Sequence, residues 1–221
     1  FHALWIAPDA SARSYVGTDK GTYVTYDQGH HFVMVDNMDI GEFYAVTADN
    51  RDPYWVYGGL QDNGNWGGPS NSRDWNGVLN DHWFKFHSGD GFHTTVDPND
   101  WRTVYTVNHV GFIARQNIET REHVFITPTP ETVVNFDEYF DPDYPETHTR
   151  YTISPGEHWF FRERPERPLL PPQFRFNWSS PFIISPNNPR TLYFGGNHLF
   201  KSVDRGDTWR IISPDLTTND S

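Results

Sequence analysis

The chain has 221 residues, with 29 Asp and Glu against 17 Lys and Arg and a formal net charge of −12. That acidity argues against nucleic acid and anionic membranes as partners, and no run of about 20 apolar residues supplies a membrane-spanning segment. Zero Cys removes disulfides and thiolate metal ligands, while aromatics at 17%, with 17 Gly and 17 Pro, read as strands and turns rather than helices.

From its first residues the chain reads as strand. Leu4, Trp5 and Ile6 lead into a turn at Pro8, and a second β-rich run carries Tyr15 and closes at Gly17. Thr25-Tyr26-Asp27-Gln28-Gly29-His30-His31-Phe32 then spells a hairpin. Its Asp is suited to bond its own turn, its Gly supplies a positive φ, and its last residue is an apolar anchor. The second segment repeats the plan with Val46 and Ala48, a turn at Asn50, and Tyr57 before Gly59. It has no second hairpin signature. Instead Gln61 to Pro69 opens into a long loop through Trp75 to His82.

The third segment carries Thr94 and Val96, a turn at Pro98, and Tyr105; the polar turn Asn117 to Glu122 stands where the hairpin signature would fall. Residues 125–175 form a Pro-rich, charged insertion with an acidic run from Asp137 to Glu146. An insertion of that length is usually functional or disordered, and its aromatics Tyr139, Phe140, Tyr144, Trp159, Phe160 and Phe161 argue that much of it packs on something. The fourth segment has Phe182 and Ile184, a turn at Pro186, and Tyr193 before Gly195. It ends on the fullest hairpin signature, Ser202-Val203-Asp204-Arg205-Gly206-Asp207-Thr208-Trp209.

Four Tyr residues, each seven after its turn residue, thus recur at intervals of 42, 48 and 88. A period of roughly 40–50 residues belongs to propeller blades, and the last interval is one blade plus the insertion. The expected fold class is all-β, a β-propeller, with about four consecutive blades of a larger ring of seven or more. The blades fall near 1–40, 41–86, 87–124 and 176–221. Tyr15, Tyr57, Tyr105 and Tyr193 should occupy equivalent middle strands. Leu4, Ile6, Val46, Ala48, Thr94, Val96, Phe182 and Ile184 should lie on inner strands between blades. Trp209 and Phe32 should be buried, with Asp204 and Asp27 bonded inside their own turns. A chain that starts in an inner strand, without a signal peptide, is expected to pack its ends against missing blades or another chain.

The segments His2–Pro8, Tyr54–Ser70, Ser88–Pro98 and Phe176–Trp209, with the closing Ser213-Pro214-Asp215-Leu216-Thr217-Thr218-Asn219-Asp220, carry a resemblance. The chain resembles the BNR/Asp-box propellers called sortilin (VPS10)-like or glycosyl-hydrolase-like. The resemblance implies a multi-bladed, usually exported protein, secreted or periplasmic. It implies a protein- or glycan-binding and assembly module, with a glycoside hydrolase as the alternative, because such hairpins are structural in enzymes and receptors alike.

Candidate site residues follow from the repeat. Glu42, Asp90 and Trp178 stand at equivalent positions, eight before the turn residue, where a blade's first strand begins at the channel mouth. Asp90 and Glu42 are therefore the candidate catalytic pair, since glycoside hydrolysis needs two carboxylates about 5–10 Å apart. In its loop position Asp90 resembles an acid of the xyloglucanase-type hydrolases of that family. The alternative for Asp90 is a turn cap bonded to backbone N–H groups. Gln61, Asp62, Asn63 and Trp66, with Asn177, Trp178, Asn197 and His198, mix amides, a carboxylate and indoles in the way sugar sites do. The alternative for them is an Asx-rich turn with the Trp packed between blades. The 11 His residues show no ligand spacing, and no HExxH or phosphate loop is present, so neither metal nor cofactor is expected.

Overall fold

A computed structural model describes residues 1–36, 41–135 and 174–217. The expected packing of Tyr139, Phe140, Tyr144, Trp159, Phe160 and Phe161 lies outside the described residues. The protein is all-β and is built of β-propeller blades: four antiparallel sheets, each of four strands joined in sequence order. They form two compact units, Phe1–Thr94 and Thr95–Ser221.

The first unit holds two complete sheets. β1 (Ala3–Ile6), β2 (Ser14–Thr18), β3 (Gly21–Thr25) and β4 (Val33–Met34) make one. β5 (Phe43–Ala48), β6 (Trp55–Leu60), β7 (Gly64–Pro69) and β8 (Phe84–His87) make the other. Aromatic pairs fill the second sheet's faces, with Trp55 on Phe84 at 5.8 Å, Tyr57 on Phe86 at 6.2 Å and Phe43 on Trp83 at 6.2 Å. β9 (Gly91–Asp97) begins in this unit and runs into the next. At its start the backbone comes so close to β6 that a Cβ at Gly59 would sit 2.4 Å from the Gly91 carbonyl carbon. Only glycine fits there.

The second unit contains β10 (Asp100–Asn108), β11 (Ile113–Asn117) and β12 (His123–Phe125), which complete the β9 sheet. The fourth sheet is β13 (Phe182–Ile184), β14 (Leu192–Gly195), β15 (Leu199–Ser202) and β16 (Arg210–Ile211). One core joins them: Tyr105, Val107 and Ile113 from the third sheet meet Phe182, Leu192, Phe194, Phe200, Trp209 and Ile211 from the fourth.

Tyr15, Tyr57, Tyr105 and Tyr193 all lie on the second strand of their sheets. The residue eight before each Tyr (Ala7, Asp49, Asp97 or Ser185) is buried in every case. The inner-strand expectation holds only in part. Thr94, Val96 and Phe182 are buried and Ile184 is half-buried, whereas Leu4, Ile6, Val46 and Ala48 are exposed. Nothing among the described residues covers those four positions.

The two hairpin signatures fold alike, bond for bond. Asp27 Oδ1 accepts the His31 N–H at 2.9 Å, and Thr25 Oγ1 accepts the Gly29 N–H at 2.9 Å. Asp204 Oδ1 accepts the Thr208 N–H at 2.9 Å, and Ser202 Oγ accepts the Gly206 N–H at 2.8 Å. The turn residues match as well, with φ of 62° and 91° at Gln28 and Gly29 and 67° and 93° at Arg205 and Gly206. The terminal aromatics differ. Trp209 is 1% exposed, but Phe32 is 49% exposed, which corrects the expectation that both are buried.

The cause is a strap that, among the described residues, lies over Trp209 and not over Phe32. Residues 126–135, at the start of the insertion, run beside the hairpin: Trp209 Nε1 donates to the Ile126 carbonyl at 2.8 Å, and the Trp209 N–H to that of Thr132 at 2.8 Å. Asn135 clamps Ile211 from both sides, accepting its N–H at 2.9 Å and donating to its carbonyl at 3.0 Å. The insertion's other described end packs on the same sheet, with Phe174 against Phe200 at 4.9 Å and Phe176 against Phe194 at 5.2 Å.

Candidate functional site

In each sheet the turn between second and third strands and the approach to the first strand emerge at the same end, because the strands run alternately up and down. Glu42, Gln61, Asp62, Asn63 and Asp90 lie on such ends in the first unit. Asn177, Trp178, Asn197 and His198 do so in the second. Trp75, on the β7–β8 loop, is at the opposite end of its sheet from Asp62.

The first unit builds the denser constellation. Asp62 takes a left-handed φ of 59°, which Asp tolerates at a tight turn. Its N–H donates to Asp90 Oδ1 at 2.9 Å, so the carboxylate of Asp90, 8% exposed, braces a neighbouring turn. Burial, then the negative charges of Asp90 and Asp19, push the Asp62 carboxyl above the ordinary carboxylate range, with Lys20 opposing. Two acidic groups thus sit together, and the more exposed one resists ionisation.

Beside them Tyr44 is half exposed; its hydroxyl donates to Gln61 Oε1, and its ring rests on Phe92 at 4.9 Å. Asn63 braces the turn. Its Nδ2 reaches the Gln61 carbonyl at 3.1 Å and the Asp19 carbonyl at 3.4 Å. Trp66 is half-buried, donates Nε1 to the Asn63 carbonyl at 2.7 Å and lies under Lys85 Nζ at 5.6 Å. Glu42 is exposed and makes no hydrogen bond or ion pair among the described residues.

In the second unit Trp178 is 47% exposed and stacks on His109 at 5.4 Å, with 23° between the rings. Asn177 Oδ1 accepts the Trp178 N–H at 2.8 Å. Asn197 and His198 are buried among structural partners. Asn197 accepts the Arg175 N–H at 2.9 Å and donates to Asp215 at 3.0 Å, while a His198 ring nitrogen pairs with the Ser213 carbonyl at 3.2 Å.

Three participants escaped the sequence reading: Tyr44, Asp19 and His109. For two of them a signal existed. Four residues after each repeat Tyr stand Asp19, Gln61, His109 and Asn197, so extending the repeat by four positions marks the same turn in every sheet. Tyr44 has no such marker, because its place depends on the β5–β6 pairing. Among the described residues no group of His and acidic side chains is arranged to hold a metal ion, and no helix is long and apolar enough to cross a membrane.

No protein-family model and no curated protein matches the chain. Among solved structures it is similar to the GH74 enzyme of Niastella koreensis, at 13% identity and a TM-score of 0.43, over 94% of this chain and 28% of that one. It is similar to the GH74 xyloglucanase of Xanthomonas campestris, at 14% identity and 0.44, over 95% and 29%. It is also similar to YCF48 bound to D1 peptide, at 12% identity and 0.40, over 90% and 50%. The chain therefore spans between 28% and 50% of the length of these structures.

Proposed function

We propose that this chain is a glycan-binding propeller module of an exported, secreted or periplasmic, protein, and that the β6–β7 turn holds the sugar. The observation that carries the reading is the Tyr44–Gln61 pair, a half-exposed ring locked by its hydroxyl to an exposed amide. An aromatic face stacks on the apolar side of a pyranose, and an amide and a carboxyl alongside supply directed hydrogen bonds. Asp62 meets the second need next door. Further blades, on this chain's continuation or on another chain, would cover the apolar residues of β1 and β5.

The test is titration of the full chain with a panel of plant and bacterial oligosaccharides, alongside Tyr44→Ala and Gln61→Ala. Each variant should bind about tenfold more weakly with an unchanged melting temperature. Absence of binding across the panel, or binding that neither substitution affects, would overturn the proposal.

The Asp62–Asp90 contact favours a second reading, hydrolysis. A carboxyl raised above its ordinary range beside a second carboxyl is an arrangement from which a general acid can be made. In that reading Asp62 is the proton donor and Asp90 its neighbouring carboxyl, with Glu42 outside the pair. Asp62→Asn and Asp90→Asn should each cut reducing-end release by orders of magnitude while sparing binding. Binding without turnover in the unaltered protein leaves the module reading alone.

A further inference from the structure

A cavity of about 380 Å³ opens in the second unit, between the β11–β12 end of the third sheet and the β15–β16 hairpin. Its floor is a network in which opposite charges are already paired. Arg115 donates to Asp207 at 2.9 Å and to the Arg205 carbonyl at 2.9 Å, and Arg205 donates to Asp97 at 3.0 Å. On the walls both donors and acceptors remain unspent. The Arg190 guanidinium and the Asn117 amide nitrogen remain as donors. Gln116 Oε1, one Glu122 oxygen and the second Asp207 oxygen remain as acceptors; none of these atoms bonds within the chain among the described residues.

That balance selects the ligand. A bare anion would meet the lining carboxylates, a bare cation would meet the guanidiniums, and an apolar molecule would find one apolar side chain, Val124. Paired sugar hydroxyls both donate and accept over a few ångströms and carry no ionic charge to desolvate. The volume lies at the small end of ligand cavities, enough for one or two sugar units. We infer that this cavity is a separate subsite for an uncharged mono- or disaccharide. The inference rests on its own residues and stands or falls apart from the β6–β7 turn.

Ligand-observed NMR titration of the full chain with glucose, galactose and maltose tests it, with glucuronate and glycine as charged comparators. Arg190→Met removes one donor. Asn117→Asp removes the other while keeping the oxygen that accepts the Glu119 and Thr120 N–H groups, and melting curves verify that both variants fold. An uncharged sugar should bind, about tenfold more weakly in each variant. Uncharged sugars that fail to bind, or bind both variants as tightly as the unaltered chain, overturn the inference, as does tighter binding of glucuronate or glycine than of the neutral sugars.

Discussion

Asp204 closes its turn with one carboxylate: Oδ1 accepts the Thr208 N–H at 2.9 Å and the Ser202 hydroxyl at 2.7 Å, and Oδ2 accepts the Thr208 hydroxyl at 2.6 Å. Burial works against its charge, but these donors outweigh it and hold the group below the ordinary carboxylate range. A carboxyl depressed in the folded state contributes stability above its unfolded pKa of about 4, lost as pH falls through the folded value. Asp204→Ala should therefore cost about 1–2 kcal/mol at pH 7, read by urea denaturation, and progressively less below pH 4. Asp62 runs the other way. Raised in the folded state, it contributes most when protonated, and that contribution is lost as pH rises through its folded pKa. Asp62→Asn should raise the melting temperature at pH 7 by about 1–3 °C and leave it unchanged below pH 4, since it removes the cost of burying the charge and its repulsion from Asp90 and Asp19. Asn also accepts the left-handed backbone that this turn requires.

At the scale of elements, the same buried position is solved in two ways. In the second sheet Asp49 is satisfied locally, by Arg51 Nε at 2.6 Å and the Tyr57 hydroxyl at 3.0 Å. In the third sheet the equivalent Asp97 has no arginine two residues on, and it takes Arg205 from the β15–β16 hairpin, 108 residues away in sequence. That hairpin is thus a clasp between two sheets of the second unit, and Arg115 ties it down again through Asp207. Arg205→Ala leaves the Asp97 side chain, with no exposed surface, holding only the Asn99 N–H among the described residues. The expected cost is about 2–4 kcal/mol by denaturation, the scale of breaking a buried pair from one side. Asp97→Asn in the same chain should recover part of it. Tyr105 senses this network as well, since burial and then the charge of Asp97 push its hydroxyl up to about 12.

For the whole molecule, exposed apolar residues concentrate on the first sheet: Leu4, Trp5, Ile6, Val33 and Met34 are all between 43% and 65% exposed. Uncovered strands of that kind pair with other chains. The chain should therefore associate as its concentration rises in sedimentation experiments, and Leu4→Lys with Ile6→Lys should abolish association without lowering the melting temperature. By itself the sequence determined the blades. Turn residues, Tyr anchors and hairpin signatures act over a few neighbours, so the repeat and the second strand of each sheet are legible without coordinates. The bonds inside the Asp27 and Asp204 turns are legible for the same reason. Only the tertiary structure decided which of two like hairpins buries its aromatic, because the strap over Trp209 arrives from residues 126–135 and Phe32 has no counterpart among the described residues. It also decided that Asp90 meets Asp62 rather than repeating Glu42's exposed role, and that Asp97 meets Arg205. These partners lie 28 and 108 residues apart; a local pattern cannot encode a contact made by packing one sheet's turn against another's.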